Sequence, residues 1–455
     1  MERTIGKRSR FFAAALSLAA LVAASSVFPS DSQPRATSVT PFRQYIGPGG
    51  CSSTSCHGSI APRTDTPILQ NEYSTWIVRD KHSSAYAALT GMVGERMAAI
   101  LGLGRAETAH QCLACHALDV PASDRARTFE LSDGVSCENC HGSASAWLGP
   151  HTERSWTHQQ SVALGMYDAR DLVLRTENCL SCHLGDGQKS VNHQMIAAGH
   201  PDLYFELDTF SAAMPRHWKE SEEPGEPEGS DSWYDVREWA VGQAVELRQS
   251  LRLLASRAQG DVWPEYSELE CYACHHALGS AEQSWRQARG YPNRRAGNPP
   301  WNDSSYVLFR ELVRQVDEPT AKSLDADMAQ LAGLMDNLNP DREAVKSDAL
   351  AAAQLADTLA AKLNAMPYDS AWTARLIRQI CANADSIASQ DEHAAAQAAM
   401  ALEALFTAYD RNEKTQNAQE ARAAINDLFD QLRVPSNYDP AQFSRRMREA
   451  GSLLR

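Results

Sequence analysis

The last third of the chain has apolar residues at three- and four-residue steps, the spacing that places them on one face of an α-helix. One such stripe ends at Asn339-Pro340 and consists of Leu324, Met328, Leu331, Met335 and Leu338; a second ends at Pro367 and consists of Leu355, Leu359, Leu363 and Met366. Further helices are predicted around residues 372–387, 394–409 and 417–432. Because short connections join consecutive stripes, we expect antiparallel neighbours in an all-α bundle over residues 301–455.

Residues 40–300 show a different pattern, with many Gly and Pro residues and little sustained periodicity. One helix is nevertheless clear between Trp233 and Arg257, where the apolar positions are Val236, Ala240, Ala244, Leu247, Leu251 and Leu254. We expect little regular sheet in this segment. The chain as a whole is predicted to be mainly α, with an irregular N-terminal domain followed by the helical bundle.

The N-terminus has the layout of a secretory signal peptide. Basic residues at positions 3, 7, 8 and 10 precede an apolar run from Phe11 to about Ala24, and small residues follow. We predict a signal peptide over residues 1–30, and hence a periplasmic or otherwise extracytoplasmic protein. The apolar run is shorter than the ~20 residues of a spanning helix. If it extended to Phe28 and were retained, it would act as a membrane anchor instead.

The formal charge of the chain is −14, from 43 basic and 57 acidic residues. A surplus of negative charge repels a phosphate backbone, so we expect no nucleic-acid partner. The same charge would steer a cationic redox partner or a small cationic substrate toward the protein, although solubility alone explains it equally well. The expected partners are redox proteins, cationic or membrane-bound.

Ten of the eleven cysteines form five pairs, and a histidine directly follows each pair. Four pairs have the spacing Cys-x-x-Cys-His, which attaches a c-type haem. The two thiols add to the vinyl groups of the porphyrin, and the histidine ligates the iron. These motifs consist of Cys112, Cys115 and His116; Cys137, Cys140 and His141; Cys179, Cys182 and His183; and Cys271, Cys274 and His275. Disulfide frameworks, zinc ribbons and thioredoxin-like motifs would not require the histidine.

The fifth pair, Cys51 and Cys56 before His57, has four residues between its thiols instead of two. We interpret it as a fifth haem site, because a longer spacer can loop out. The alternatives are a small disulfide with an incidental histidine, or half of a zinc site. The eleventh cysteine, Cys381, lies at helical spacing with apolar neighbours and is expected in the core of the bundle. Five haem c groups are therefore predicted, and they would organise the interior of residues 40–300.

A six-coordinate haem iron needs a second axial ligand, and nine of the fourteen histidines lie outside the motifs. Several of them occur in segments that resemble the cytochrome c-554 family of multihaem cytochromes, which is related to hydroxylamine oxidoreductases and multihaem nitrite reductases. The segments are Trp76-x-x-Arg-Asp-Lys-His-Ser-Ser-Ala-Tyr86; Gly134-Val-Ser-Cys-Glu-Asn-Cys-His-Gly142 with Trp147 and His151; and His193-Gln-Met-Ile-Ala-Ala-Gly-His-Pro-Asp-Leu-Tyr-Phe-Glu-Leu207. The similarity covers about residues 45–290 and does not extend to the bundle.

The resemblance implies four distal iron ligands, which are His82, His151, His193 and His200. His217 and His276 are weaker candidates for the remaining iron. The family type carries four haems, so the site at Cys51 or the site at Cys271 is an addition. The chain has no Cys-x-x-Cys-Lys motif, which marks the catalytic haem of most ammonia-forming nitrite reductases.

The leading hypothesis is a periplasmic electron carrier whose haems, mostly with two histidine ligands, relay electrons between redox partners. The competing hypothesis is an oxidoreductase in which one five-coordinate haem binds hydroxylamine, nitrite, nitric oxide or a sulfur oxyanion. His158, Arg216 or His217 would then act as a proton donor or an anion anchor. The number of high-spin irons distinguishes the two hypotheses.

Overall fold

The computed structural model describes residues 43–66, 68–218, 232–275, 299–434 and 438–453. The predicted signal peptide over residues 1–30 and the candidate ligand His276 lie outside the described residues. Within the described chain, strand pairing is limited to two isolated bridges, Tyr45 with Arg125 and Leu269 with Trp301. The predicted mainly α fold with little regular sheet is confirmed.

Helices between residues 43 and 218 are short and separated by turns. They are α1 (Glu72–Arg79), α2 (Ala85–Leu89), α3 (Met92–Leu101), α4 (His110–His116), α5 (Cys137–His141), α6 (His158–Ala163), α7 (Leu172–His183), α8 (His193–Ala198) and α9 (Leu207–Ala213). Single 3-10 turns lie at Pro48–Cys51, Lys81–Ser84, Ala106–Thr108, Ala122–Asp124, Leu131–Asp133 and Pro150–Thr152. A small apolar cluster is buried here, formed by Leu89, Ala98, Ala106, Leu113 and Ala117.

The second half of the chain contains longer helices. They are α10 (Tyr234–Arg257), α11 (Ser304–Val316), α12 (Glu318–Met335), α13 (Arg342–Ala365), α14 (Ser370–Ala382), α15 (Ala384–Ala388), α16 (Glu392–Glu413), α17 (Ala418–Leu432) and α18 (Pro440–Leu453). Two 3-10 turns, Tyr266–Glu268 and Cys271–Ala273, follow α10. Within the described residues, no helix combines the length and the apolar character that crossing a membrane requires.

Helix α10 lies at the centre of the main core. Its six predicted apolar positions are fully buried, and so are Trp239 and Val245 on its other faces. Because buried residues are not confined to one face of α10, other elements must surround it, and it packs against α7, α9, α11, α13 and α16. Burial of each large apolar side chain contributes about 1.5–3 kcal/mol. The core continues from Leu172 to Ala450, while the domain boundary near residue 300 stays a prediction.

Two arginines tie the motif helix α7 to the long helices. Arg248 of α10 is buried and donates to Glu177 of α7 at 2.5 Å, and its other amino group bonds to Asp357 of α13. Arg175 of α7 donates to Glu238 of α10 at 3.2 Å. A buried charge that loses its partner costs about 3–5 kcal/mol, so these pairs hold α7 in one place against the bundle.

The helix boundaries in the bundle differ from the predicted ones in two places. Helix α12 ends at Met335, so Leu338 lies beyond it and is 77% exposed, contrary to the predicted stripe. The single helix predicted over residues 372–387 is broken at Asn383, whose side-chain amide donates to the buried carboxylate of Glu311 at 2.7 Å. A tertiary hydrogen bond thus interrupts an apolar repeat. Cys381 is buried in the core, as expected.

Candidate haem sites

The five Cys-His motifs are numbered here in chain order. Site 1 contains Cys51, Cys56 and His57; site 2 contains Cys112, Cys115 and His116; site 3 contains Cys137, Cys140 and His141; site 4 contains Cys179, Cys182 and His183; and site 5 contains Cys271, Cys274 and His275. Sites 2, 3 and 4 lie on α4, α5 and the end of α7. Residues three and four apart are neighbours on one helical face, so the motif spacing brings both thiols and the imidazole together.

Sites 1 and 5 close by the same backbone contact despite their different lengths. In site 5, the amide of His275 donates to the carbonyl of Cys271 at 2.8 Å; in site 1, the amide of His57 donates to the carbonyl of Cys51 at 3.2 Å. The two extra residues of site 1 therefore loop out, and the histidine stays next to the first cysteine. Cys51 and Cys56 are not joined by a disulfide. Among the described residues, no group of three or more His, Cys, Asp or Glu side chains is placed to hold a metal ion directly.

Four motif histidines each face a second histidine. The ring centres are 6.2 Å apart for His57 and His151, 6.3 Å for His116 and His200, 6.0 Å for His183 and His82, and 6.3 Å for His275 and His193. Two imidazoles that bind one metal ion from opposite sides, each at about 2.0 Å from metal to nitrogen, have ring centres about 6 Å apart. The rings therefore fit the axial positions of a haem iron, and every predicted distal histidine occurs in one of these pairs.

Most of these rings are oriented by a hydrogen bond at Nδ1, which leaves Nε2 available to a metal. The contacts are His57 to Glu72 (2.9 Å), His82 to Asp80 (2.9 Å), His116 to the carbonyl of Ala85 (2.9 Å), His151 to the carbonyl of Trp147 (3.1 Å) and His200 to the carbonyl of Pro201 (2.7 Å). Such outer partners fix the tautomer and raise the basicity of a ligand. The bonds to Glu72 and Asp80 accordingly raise the pKa values of His57 and His82. The sequence analysis did not identify these two carboxylates as partners of the candidate ligands.

Helix α8 places two ligand candidates for two different sites. Asn192 caps the helix by accepting from the amide of Met195 at 3.0 Å, so His193 lies in the first turn. Gly199 ends the helix with φ of 114°, a left-handed conformation that favours glycine. His200 therefore leaves the helix in a new direction, and the two histidines face site 5 and site 2 respectively.

Site 3 differs from the other four. Within the described residues, no second imidazole faces that of His141 at the separation of the other pairs. Burial, followed by the nearby charge of His217, lowers the pKa of His141 to about 4, which keeps the imidazole neutral, as ligation requires. His217 is half-buried, with Nδ1 lying 3.3 Å from the carbonyl of Pro215.

The sites lie against one another. The thiols of Cys51 and Cys137 are close enough to shift each other's pKa, and so are those of Cys115 and Cys182. Asn178 donates to the carbonyl of Asn139 at 3.2 Å, which joins site 4 to site 3. The buried carboxylate of Glu138 accepts from the amides of Ile46, Gly47 and Ala144 at 2.7–3.0 Å. These contacts connect sites 1, 3, 4 and 2 in that spatial order.

Two other histidines pair with carboxylates rather than with imidazoles. His110 contacts Asp119 at 2.5 Å and its side chain is 82% exposed, and His158 contacts Asp168 at 2.8 Å.

A partly buried pair joins the bundle to the haem region. The Nε2 atom of His393 in α16 lies 2.8 Å from Asp202. Burial raises the pKa of Asp202, but the hydrogen bond and charge of His393, together with hydrogen bonds from Leu203 and Cys271, lower that pKa below its usual range.

Comparison with known proteins identifies one related family. Residues 51–142 match the model of the family described as cytochrome c554 and c-prime. This segment begins at the first cysteine of site 1 and includes sites 2 and 3, so the resemblance found in the sequence is confirmed there. No curated protein and no solved structure matches the chain.

Proposed function

We propose that this protein, a c-type cytochrome that carries covalently bound haem c, relays electrons between redox partners. About five haems, one for each Cys-His motif, would form the relay. The proposed location is the periplasm or the outer cell surface, because thioether attachment and the N-terminal leader both point to an exported chain. The proposed partners are redox proteins, cationic or membrane-bound.

The observation that carries this proposal is the set of four facing histidine pairs, with ring centres 6.0–6.3 Å apart. When both axial positions of an iron are filled, no position is open for a substrate. Such a haem exchanges electrons without making or breaking bonds. Imidazole on both sides also gives a lower reduction potential than a thioether ligand would.

The contacts between neighbouring sites support a relay rather than separate cofactors. The thiols of Cys51 and Cys137, which shift each other's pKa, place site 1 beside site 3, and those of Cys115 and Cys182 place site 2 beside site 4. The thiol of Cys271 lies 3.9 Å from Asp202, two residues after the site 2 ligand candidate His200. The proposed order is therefore 1, 3, 4, 2 and 5, in which consecutive haems are adjacent and sites 1 and 5 are the two ends.

In this function the side chains hold and tune the haems. The cysteines would attach the porphyrins and the histidine pairs would hold the irons, while Glu72 and Asp80 orient two of those histidines. Haem bound at these positions would supply a one-electron redox centre.

A second function is favoured by one observation, the lack of a facing imidazole for His141 among the described residues. If the site 3 iron is five-coordinate, it could bind a small nitrogen or sulfur compound such as nitrite or hydroxylamine. His217, whose charge acts on His141, would be the proton donor. If His217 instead binds this iron, the protein has no open position and remains a carrier.

Haem quantification together with low-temperature EPR of the oxidised mature protein tests these alternatives. We expect five haems per chain and low-spin signals from at least four of them. A high-spin signal that shifts when nitrite or hydroxylamine is added would favour the enzyme. High-spin signals from several haems would contradict the carrier and the pairing together.

One substitution tests the pairing directly. His82→Ala removes the imidazole that faces His183, so we expect one haem to become high-spin while the haem content is unchanged. His110→Ala is the matched control, because the side chain of His110 is exposed and contacts the carboxylate of Asp119. An unchanged EPR spectrum in His82→Ala would show that His82 is not an iron ligand.

A further inference from the structure

We propose that His393, in the C-terminal bundle, is a positioning residue that holds the carboxylate of Asp202 beside site 5 and thereby sets the reduction potential of the haem bound there. The bundle would then tune the last haem of the relay as well as support it. This inference rests on the proposed function in one respect, that site 5 carries a haem.

His393 is held firmly in the bundle. It lies in the first turn of α16, and it is the only histidine after residue 300. Only 9% of the residue is exposed, and its ring stacks on that of Tyr204 with ring centres 4.6 Å apart and an angle of 12° between the planes. The Nε2 atom lies 2.8 Å from Oδ2 of Asp202. The stacking on Tyr204 and the hydrogen bond to Asp202 together fix the orientation of the imidazole.

Asp202 lies between two haem sites. It follows His200, which faces the site 2 histidine, by two residues, and its Oδ2 atom lies 3.9 Å from the sulfur of Cys271 in site 5. Its other oxygen accepts from the amide of Leu203 at 2.9 Å. Once Cys271 is bonded to a haem, its sulfur has no proton to donate. Among the described contacts, His393 is then the remaining side-chain donor to Oδ2.

The charge balance around this pair is negative. Asp391 and Glu392 directly precede His393 in the sequence, and both are among the charges that act on its imidazole. A partly buried carboxylate interacts strongly with a nearby haem because the surroundings have a low dielectric constant. Negative charge near a haem stabilises its oxidised form, and charge and hydrogen bonding are established determinants of haem potential. His393 therefore offsets the charge of Asp202, and the two residues should act on site 5 with opposite signs.

Redox titration of the intact haem-loaded protein at neutral pH, followed by absorption and EPR, tests the inference. His393→Leu should lower the midpoint potential of site 5, because Asp202 loses its donor. Asp202→Asn should raise it, because the negative charge is removed. His393→Gln keeps a side-chain donor and should return the potential toward that of the unchanged protein. The double variant His393→Leu/Asp202→Asn should behave like Asp202→Asn.

Two further variants make the assignment secure. His193→Met exchanges the ligand candidate of site 5 for a thioether. The midpoint potential of one redox step should rise strongly, and that step belongs to site 5. Lys362→Met is the matched control in the bundle, since it removes the cation of an exposed pair with Asp317 at 2.8 Å. This control should leave the midpoint potential of every haem unchanged.

The outcomes separate the inference from the proposed function. If Cys271→Ser/Cys274→Ser leaves the haem content unchanged, site 5 holds no haem, and both proposals fail at this site. If that haem is present but His393→Leu and Asp202→Asn shift no step, or shift it in the same direction, the inference alone is overturned. Should His393→Leu fail to fold, His393→Asn takes its place: its shorter side chain cannot keep the bond to Asp202, so the midpoint potential of site 5 should again fall, and an unchanged potential would overturn the inference.

Discussion

The region of residues 43–218 and the bundle after it are both helical, yet they differ in what fills the interior. In the bundle and α10, leucines such as Leu251 and Leu324 are completely buried and form one continuous core. In the first region, the separate apolar cluster is small, and most motif cysteines and ligand histidines are only half-buried. Facing histidine rings about 6 Å apart leave a slot that suits a flat apolar porphyrin. The comparison suggests that one region completes its core with a cofactor and the other with side chains.

Removal of haem should separate the two regions most clearly. In protein produced without haem attachment, we expect residues 43–218 to be cleaved rapidly, because their short helices then lack the porphyrins that they enclose. A fragment that contains α10 to α18 should persist, since most of the side-chain core lies within it and only the part that α7 and α9 contribute is lost. Limited proteolysis with mass spectrometry measures this, and the haem-loaded protein is the control. Protection of residues 43–218 in the haem-free chain would contradict the comparison.

Deletion of a buried side chain from α10 should produce the next largest effect. Leu251→Ala leaves a cavity in the main core, so we expect the free energy of unfolding of the helical region to fall by about 2–5 kcal/mol. Leu350→Ala, at a leucine of α13 that is 43% exposed, is the matched control and should cost much less. Denaturant unfolding followed by circular dichroism measures both. Equal losses in the two variants would show that α10 is not the centre of the core.

A smaller, pH-dependent effect is expected where the regions meet. Burial raises the pKa of Glu206 to about 7, against the smaller effect of its bonds from Thr209 and Asp208. The unfolded chain has a glutamate pKa of about 4.3. Between these values the folded state holds a proton that the unfolded state has lost, so stability falls as the pH rises through this window and levels off above it.

Across this pH window, the ionisation of Glu206 should lower the free energy of unfolding by an amount on the order of 1–3 kcal/mol. Glu206→Gln cannot lose a proton, so its stability should fall less across the same range. Glu318→Gln, at an exposed carboxyl of α12, is the control and should keep the slope of the unchanged protein. Denaturation at a series of pH values provides the measurement. An identical slope in Glu206→Gln would show that this carboxyl does not titrate in the folded state.

The sequence predicted the attachment residues because covalent attachment requires a local spacing. Cys137, Cys140 and His141 must lie within one helical turn, so their pattern is visible in a few letters. The helix of residues 234–257 was equally clear, because a surrounded helix needs apolar residues at regular steps. Distal histidines were named only through the family resemblance. A family match over residues 51–142 confirms that resemblance in part.

Contacts between distant segments were not predictable in the same way. The sequence did not indicate that His82 faces His183, or that His193 and His200 face different sites although they lie at the two ends of one helix. The sequence predicted an unbroken helix over residues 372–387. In the structure a helix ends just before Asn383, whose side-chain amide donates to Glu311. In each case the partner is remote in the chain, and hydrophobic periodicity carries no information about it.

The sequence by itself determined the class of the protein, the candidate residues for covalent haem attachment and the helical character of both regions. These features depend on bonds and repeats within a few residues, where the spacing decides the geometry. Only the tertiary structure decided which histidines form pairs, which sites are neighbours and that His393 of the bundle reaches Asp202 beside site 5. Those relations depend on how separate helices pack, and packing is set by the whole core rather than by any one segment.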